Sequence, residues 1–495
     1  MNRPVFLIWR PWLAAVQIKI AERLARLGWD VHLYVLRQPD IAIVRARFPE
    51  GALKSITAFQ IVYDVARMPA ANEAAEVSRA LELERWLGVT FSSLCVADRH
   101  LGRGFSVGAP RFPSSAPSRA DRAQTLAAIS SQIEFWRGEF EKKKPVLILE
   151  ADQFTAAVAH RRGVPLRVLA ASRHANLYYW AEDVLFRKPA IEAAYHRLSN
   201  EATEPDAIEI EQAHAVVSYW RTAMKITTMS HFVRLAGYQI AQRAWHWARR
   251  SGLASTYDLF DEVVYLWRSR RQARLMTGPR VKRLKDIEGQ RFVFFPLATE
   301  PEVTLQGLSP EFFFQLEAIA MIARDLPADT ILAVKEHQPA CGARDDLFYD
   351  QIWAFKNVVI LDMREPGPSV VRAAAATITV AGSAGFEAAA MGKPTIVFGR
   401  HNLYRFLPHV WQVEDPARLR HAIDQALDGP SLTARVDGRR FLSAVASVSF
   451  DLETFDPFAK EPVVADACAD AAVADLLEGL GIARSSTAEA PGAGS

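Results

Sequence analysis

Residues 377–399 read TITVAGSAGFEAAAMGKPTIVFG. An apolar run ends at Gly382, small residues make a turn, a stretch with helical spacing begins near Ala384, and a Gly-Lys-Pro break leads into a second apolar run. Strands buried on both faces of a parallel sheet read as continuous apolar runs, and parallel neighbours need a crossover between them that is usually a helix. The stretch is therefore predicted as one strand, helix, strand unit. Gly382, Ser383 and Gly385 would let an anion approach the backbone, and the positive end of the helix dipole suits a diphosphate or phosphodiester. Glu387, one turn in, is placed to accept hydrogen bonds from ribose hydroxyls. The same residues also fit a plain packing turn in which Glu387 answers the helix dipole, and a short glycine motif does not decide between the two.

Working outward, three more buried-strand runs precede this unit, FVFFPLA (292–298), TILAVKE (330–336) and NVVILD (357–362), and with its own ATITVAG (376–382) and PTIVFG (394–399) they make five. Helix-like stretches such as EFFFQLEAIAMIARDLP (311–327) separate them, and the alternation predicts a doubly wound parallel sheet over 289–430. A similar series opens the chain. An apolar run (4–9), a helical pattern (13–27) closed by Gly28, and DVHLYVL (30–36) are followed by a helical stretch at 71–87 and a Gly/Pro-rich surface loop at 100–119. Then come a helix ending in EKKK, PVLILE (145–150), the helical FTAAVAHRRG (154–163) and PLRVLAAS (165–172). This predicts a first Rossmann-like domain over 1–210. Between the two lie long aromatic and basic helical segments (211–288), and after the second domain a helical segment (431–483) and a tail of disordered composition (484–495). The expected fold class is α/β, with two doubly wound parallel-sheet domains facing a cleft.

Bulk properties bound the partners. A chain of 495 residues, half of them apolar, buries more than one core. Its formal charge of +3 is the remainder of 59 basic and 56 acidic side chains, so no chain-wide field argues for nucleic acid. Cys95, Cys341 and Cys468 are too far apart for a CxxC clip and fit a reducing compartment. No HExxH, CxxC or DxD pattern supports a metal site. Arg10 and Pro11 break the first apolar run short of a secretory signal, and no stretch reaches the roughly 20 apolar residues of a spanning helix. The chain is expected to be cytoplasmic. Trp220, Trp245, Trp247 and Trp267, among many arginines, either pack against the domains, the reading favoured here, or lie on an anionic inner membrane.

Two further polar clusters fall at strand ends of the second domain. In LAVKEHQP (332–339), Lys335 would neutralise a phosphate or sugar carboxylate, Glu336 sits beside it, and His337 would donate to a phosphate oxygen or stabilise a leaving group. In FFPLATEPEVTL (294–305), Glu300 and Glu302 flank Pro301. Solvated strand ends with incidental charges are the plain alternative. Three polar clusters at one edge of one sheet are harder to dismiss than any one alone.

Taken with the following Tyr404, the series FFPL…EPE, VKEH.P and TVAGSAGFEAAAMGKPTIVFG resembles the capsular polysaccharide synthesis family, which includes bacterial transferases that add the acidic sugar Kdo; the resemblance covers about residues 290–410. It implies a metal-independent glycosyltransferase of GT-B fold that uses no cofactor, with a nucleotide-sugar donor held by the C-terminal domain and a glycan or glycolipid acceptor held by the N-terminal one. Glu302 then matches the family's Pro-Glu site, Lys335 and His337 its Lys-Glu-His-Pro site, and Gly382, Ser383, Gly385 and Glu387 its donor site. Glu300 stands where the family has Gln, and Gln338 is inserted before Pro339, so a CMP-linked acidic sugar and a UDP- or GDP-linked sugar both stay open. Glycosyl transfer needs a group to deprotonate the acceptor hydroxyl, or a carboxylate nucleophile. Glu150 and Asp152, after PVLILE, are the best-placed pair, although Asp152 would equally cap the next helix. Arg10, Arg173 and His174 are secondary candidates for acceptor or donor contacts, and Asp98 and His100 weaker ones. A nucleotide-sugar 2-epimerase-like enzyme and a non-catalytic assembly protein are the rival readings.

Overall fold

The computed structural model describes residues 3–59, 61–65, 72–105, 112–198, 210, 217, 224–248, 257–309, 312–400, 402–429 and 433–482. The first apolar run becomes strand β1 (Arg3–Ile8), and its composition is explained by what lies on either side. Val5 and Leu7 enter one core cluster while Phe6 and Ile8 enter another, so successive side chains leave no face for water. Beside it run β2 (Trp29–Val35), β3 (Ser55–Ala58), β4 (Leu147–Leu149), β5 (Leu166–Ala171) and β6 (Leu177–Ala181). The second sheet holds β7 (Arg291–Pro296), β8 (Thr330–Lys335), β9 (Val358–Leu361), β10 (Ala376–Thr379), β11 (Thr395–Val397) and β12 (Val410–Gln412), all parallel. The same two-sided burial holds there, with Val293 and Phe295 in one cluster and Phe292 and Phe294 in another.

Strand order is β6-β5-β4-β1-β2-β3 in the first sheet and β12-β11-β10-β7-β8-β9 in the second. In each, the chain winds outward from a central strand, returns, and winds the other way. The reversal leaves a switch point between β1 and β4 in the first sheet and between β7 and β10 in the second. Crevices at the carboxyl ends of such strand pairs are where open α/β sheets take ligands.

The region after residue 430 is not a separate segment. Helix Ala434–Ser447 packs on helix Pro189–Arg197, where the Tyr195 hydroxyl donates to Asp437 at 2.8 Å. Strand β13 (Phe450–Asp451) then adds antiparallel to the edge of β6, so the first sheet has seven strands. Helix Asp466–Glu478 closes on helix Ala14–Arg26, with Arg23 held by Asp466 and Asp470. The two domains are thus joined by two chain crossings.

The basic region forms a hairpin of helices Met229–Ala248 and Leu259–Leu275, tied by Arg243 to Glu262 at 2.5 Å. It straps the domains together. Asp258 and Asp261 bind the backbone and Arg119 of the first domain, while Gln272 donates to Arg344 O in the second at 2.7 Å. The packed-tryptophan expectation is corrected here: Trp245, Trp247 and Trp267 are exposed, because the inner faces of both helices are taken by smaller side chains. Trp220 and the tail 484–495 lie outside the described residues.

Candidate functional site

Both switch points carry the polar residues singled out above. At the first, Arg10 follows β1 and Glu150 follows β4, and the Arg10 guanidinium donates to Ala151 O at 3.0 Å. Glu150 has a left-handed backbone (φ 64°) and a carboxylate folded under β5, where it accepts from the Leu169 N–H at 2.6 Å. Burial pushes its pKa up to about 7, against the Leu169 hydrogen bond and the charge of Arg10. A carboxyl poised there can hold or release a proton near neutrality. Asp152 is committed differently. Its carboxylate caps helix Gln153–Arg161, accepting from the Thr155 N–H at 2.7 Å and hydroxyl at 2.8 Å, so the capping alternative describes it better than the role of base. Arg173 and His174 lie in the tight turn between β5 and β6, and Arg173 also has a positive φ of 70°.

The buried acid at Glu150 has a measurable signature. Between its ordinary pKa of 4.5 and about 7 the folded chain keeps a proton that the unfolded chain has released. Stability then falls as pH rises through this window, by up to about 1.4 kcal/mol per pH unit. Glu150→Gln keeps an oxygen to accept from Leu169 and has nothing to titrate. Its melting temperature is expected to match wild type near pH 4.5, to exceed it increasingly up to pH 7, and to hold a constant lead above that; a lead independent of pH in thermal melts would refute this account.

At the second switch point, β10 ends beneath the N-terminus of helix Ser383–Ala390. Gly382 is the N-cap with no side-chain hydrogen bond, and Ser383 is exposed, so the first N–H groups have no side-chain cap. Gly385 serves another purpose than anion approach. A Cβ there would lie 2.2 Å from the Tyr404 hydroxyl and 2.5 Å from the Thr379 methyl, so its missing side chain is the space that Tyr404 fills. Glu387 is 8% exposed, and its Oε2, like the Tyr404 hydroxyl, is buried without a hydrogen-bond partner among the described residues. Burial raises the Glu387 carboxyl to about 7, opposed first by Lys335 and then by Arg173. Lys335, buried at the end of β8, is lowered to about 8 by the same desolvation, with Glu387 its leading opposite charge. A buried base at the end of β8 and a buried acid one turn into the helix after β10 thus act on each other through their charges, with Arg173 of the first domain acting across the gap.

The neighbouring residues separate into two groups. His337 is lowered to about 4 by burial and by the charges of Lys335 and Arg344, so at neutral pH it is an uncharged imidazole with one N–H to donate. Glu302 opens a turn over Val303–Gly307, where its N–H donates to Gln306 Oε1 at 2.6 Å. Glu336, by contrast, is removed from the donor set. Strand alternation turns it away from Lys335, and it is 1% exposed. Its carboxylate accepts from Arg344 Nε at 2.9 Å, the Tyr349 hydroxyl at 2.6 Å and the His337 N–H at 2.7 Å. Arg344 also reaches Ala298 O and lies 3.6 Å from Glu300. This clamp, which ties the β7 and β8 loops together, had no signal in the sequence; Arg344 stands in the plain loop CGARDD.

The domains meet around these groups. A cavity of about 270 Å³ is lined by Ala171, Arg173 and Tyr179 from one side and by Leu308, Phe386 and Tyr404 from the other. Nearby, Arg99 donates to Pro301 O at 3.4 Å, and Asp98 accepts from the Tyr63 hydroxyl while His100 pairs with Ser115 at 2.7 Å. Asp98 and His100 therefore stand beside the cleft. Among the described residues no group of three His, Cys, Asp or Glu is arranged to hold a metal ion, and no helix is long and apolar enough to cross a membrane.

Comparison with solved structures finds general likeness at low identity. Thermosulfurimonas dismutans KpsC, a beta Kdo 2,7 transferase, is 13% identical over 70% of this chain and 89% of its own, with a TM-score of 0.31. The S. aureus MnaA-UDP structure is 10% identical over 99% and 100%, at 0.31, and the Neisseria meningitidis UDP-GlcNAc 2-epimerase is 12% identical over 97% and 100%, at 0.28. At that level none of them decides a function. No curated protein matches the chain. Residues 210–408, which carry the hairpin, the first five strands of the second sheet, Lys335 and Glu387, match the model of the capsule polysaccharide biosynthesis protein family.

Proposed function

We propose that the chain is a glycosyltransferase that takes a sugar from a nucleotide-linked donor at the second switch point and passes it to a hydroxyl presented by the first domain. The observation that carries this reading is the buried Lys335–Glu387 pair beside the uncapped helix start at Gly382, faced by Arg173. Breaking the anomeric carbon to phosphate-oxygen bond leaves negative charge on the departing nucleotide. Lys335, the N–H groups at Ser383 and Ala384, and the neutral His337 N–H are suited to that charge in a site with little water. Glu387 is suited to accept from hydroxyls of the donor. The acceptor hydroxyl attacks the anomeric carbon and gives its proton to a carboxylate, for which Glu150, poised near neutrality, is the better candidate.

The test is a thermal-shift titration with CMP, UDP and GDP, followed by turnover of the matching nucleotide sugars with and without acceptor. A bound nucleotide raises the melting temperature according to its occupancy. One nucleotide is expected to stabilise the wild-type chain and to lose that effect in Glu387→Ala. Stabilisation by none of the three would overturn the reading, and turnover of the donor with no acceptor would replace it with the epimerase-like alternative.

A further inference from the structure

We infer that the helical hairpin is a docking surface for an anionic lipid bilayer, a property separate from the donor site. The outward half of helix Met229–Ala248 carries Val233, Tyr238, Ile240, Trp245 and Trp247, and the outward stripe of helix Leu259–Leu275 continues it with Phe260, Val264 and Trp267. Trp247 is 85% exposed and Phe260 78%, values that rule out packing against either domain. Two adjacent helices thus present one apolar and aromatic face to solvent, and large exposed patches of that kind mark interaction sites.

Charge decides the occupant. Helix Met229–Ala248 contains no acidic residue. The two acids of its partner are turned inward, Glu262 to Arg243 and Asp261 to the Ser114 N–H. Arg234, Arg270 and Arg274 edge the apolar face, with Arg270 lying 5.3 Å over the Trp267 ring. A second copy of the chain would set this acid-free, arginine-edged face against itself. A bilayer with anionic headgroups satisfies both features at once, since tryptophan and tyrosine favour the headgroup boundary and arginines gain from its negative surface potential. The hairpin straps both domains, so docking there would hold the interdomain cleft beside the bilayer surface, the place where a lipid-linked acceptor would be found.

The experiment is sedimentation of the full chain with phosphatidylglycerol–phosphatidylethanolamine vesicles, with phosphatidylcholine vesicles as the neutral control. Binding to the anionic vesicles only is expected, weakened by about 1 M salt, in which the screening length falls to ~3 Å. Trp245→Ser with Trp247→Ser, and separately Arg234→Glu with Arg274→Glu, all exposed positions, should each lower the partition coefficient by roughly tenfold or more. All four positions are outward-facing, so the melting temperature and the nucleotide-induced shift should stay at wild-type values; loss of vesicle binding with that shift intact separates this proposal from the donor-site reading. Wild-type chain that ignores anionic vesicles, variants that bind as wild type does, or a dimer that dissociates on Trp247→Ser without any vesicle binding would each overturn it.

Discussion

Exchange of Lys335 for methionine is expected to lower turnover of the nucleotide-linked donor by roughly 10²–10³-fold, the range seen when one group stabilising transition-state charge is removed from a dry site. The fold should survive. Lys335 is held at about 8 by burial, so its ammonium is maintained at some expense, and a methionine of similar length removes that desolvation while filling the volume. Glu387 would lose the first of the two charges that hold its carboxyl down, its pKa would rise further above about 7, and at neutral pH it would sit protonated. An isolated acid in this surrounding becomes neutral and is tolerated. The readout is therefore a split: kcat reduced strongly, donor KM changed less, melting temperature near wild type. A methionine variant that transfers sugar at the wild-type rate would remove Lys335 from the chemistry. A variant that simply unfolds would show that the buried pair holds the domain together.

The sheets were legible in the sequence because burial on both faces leaves no polar alternation. FVFFP, TILAVK and TITV could be read as strands without knowing their neighbours, and two such series imply two doubly wound domains. Strands at the edges were not legible. β3 is four half-buried residues, β6 begins within what reads as a loop, and β13 is two residues brought to the first sheet from the far end of the chain. The candidate site divides along the same line. Lys335 and Glu150 announced themselves as charges at the ends of apolar runs, and Glu387 as a lone charge in the small-residue helix just after one, where the side chain must either bind or be compensated. Their partners came from long-range folding. That Gly385 makes room for Tyr404, that Asp152 spends its oxygen on Thr155, and that Glu336 faces Arg344 depend on which face each side chain takes and on residues distant in the chain. The exposed tryptophans were misjudged for a related reason: composition gives the affinity of a helix for apolar surroundings, but only packing shows whether the protein supplies them.

Arg344→Met is expected to destabilise the chain by about 3–5 kcal/mol at neutral pH, the scale of breaking a buried ion pair from one side. Arg344 is fully enclosed and its guanidinium pKa is raised by Glu336 and Glu300 against the burial that lowers it. Without it, Glu336 and Glu300, at 1% and 8% exposure, lose their shared cation and keep only neutral donors. The consequence is a pH dependence whose sign is fixed. Burial raises the Glu300 carboxyl and the charge of Arg344 opposes it, so without that cation Glu300 takes up a proton in the folded state at higher pH than in the unfolded chain, and the variant is least handicapped in mild acid and loses ground to wild type as pH rises towards neutrality. Adding Glu336→Gln removes one of the stranded charges while its amide oxygen still accepts from the His337 backbone N–H and its amide nitrogen can donate to the Tyr349 hydroxyl, and should return at least about 1 kcal/mol, a coupling of the size found between contacting buried groups. Urea melts of the four chains of this cycle at pH 5 and pH 7.5 measure both effects. Glu336→Gln alone should melt earlier than wild type yet keep the donor KM, because its carboxylate holds the β7 and β8 loops and does not meet the donor. A large rise in KM with unchanged stability would return Glu336 to the donor site and leave the clamp without a role.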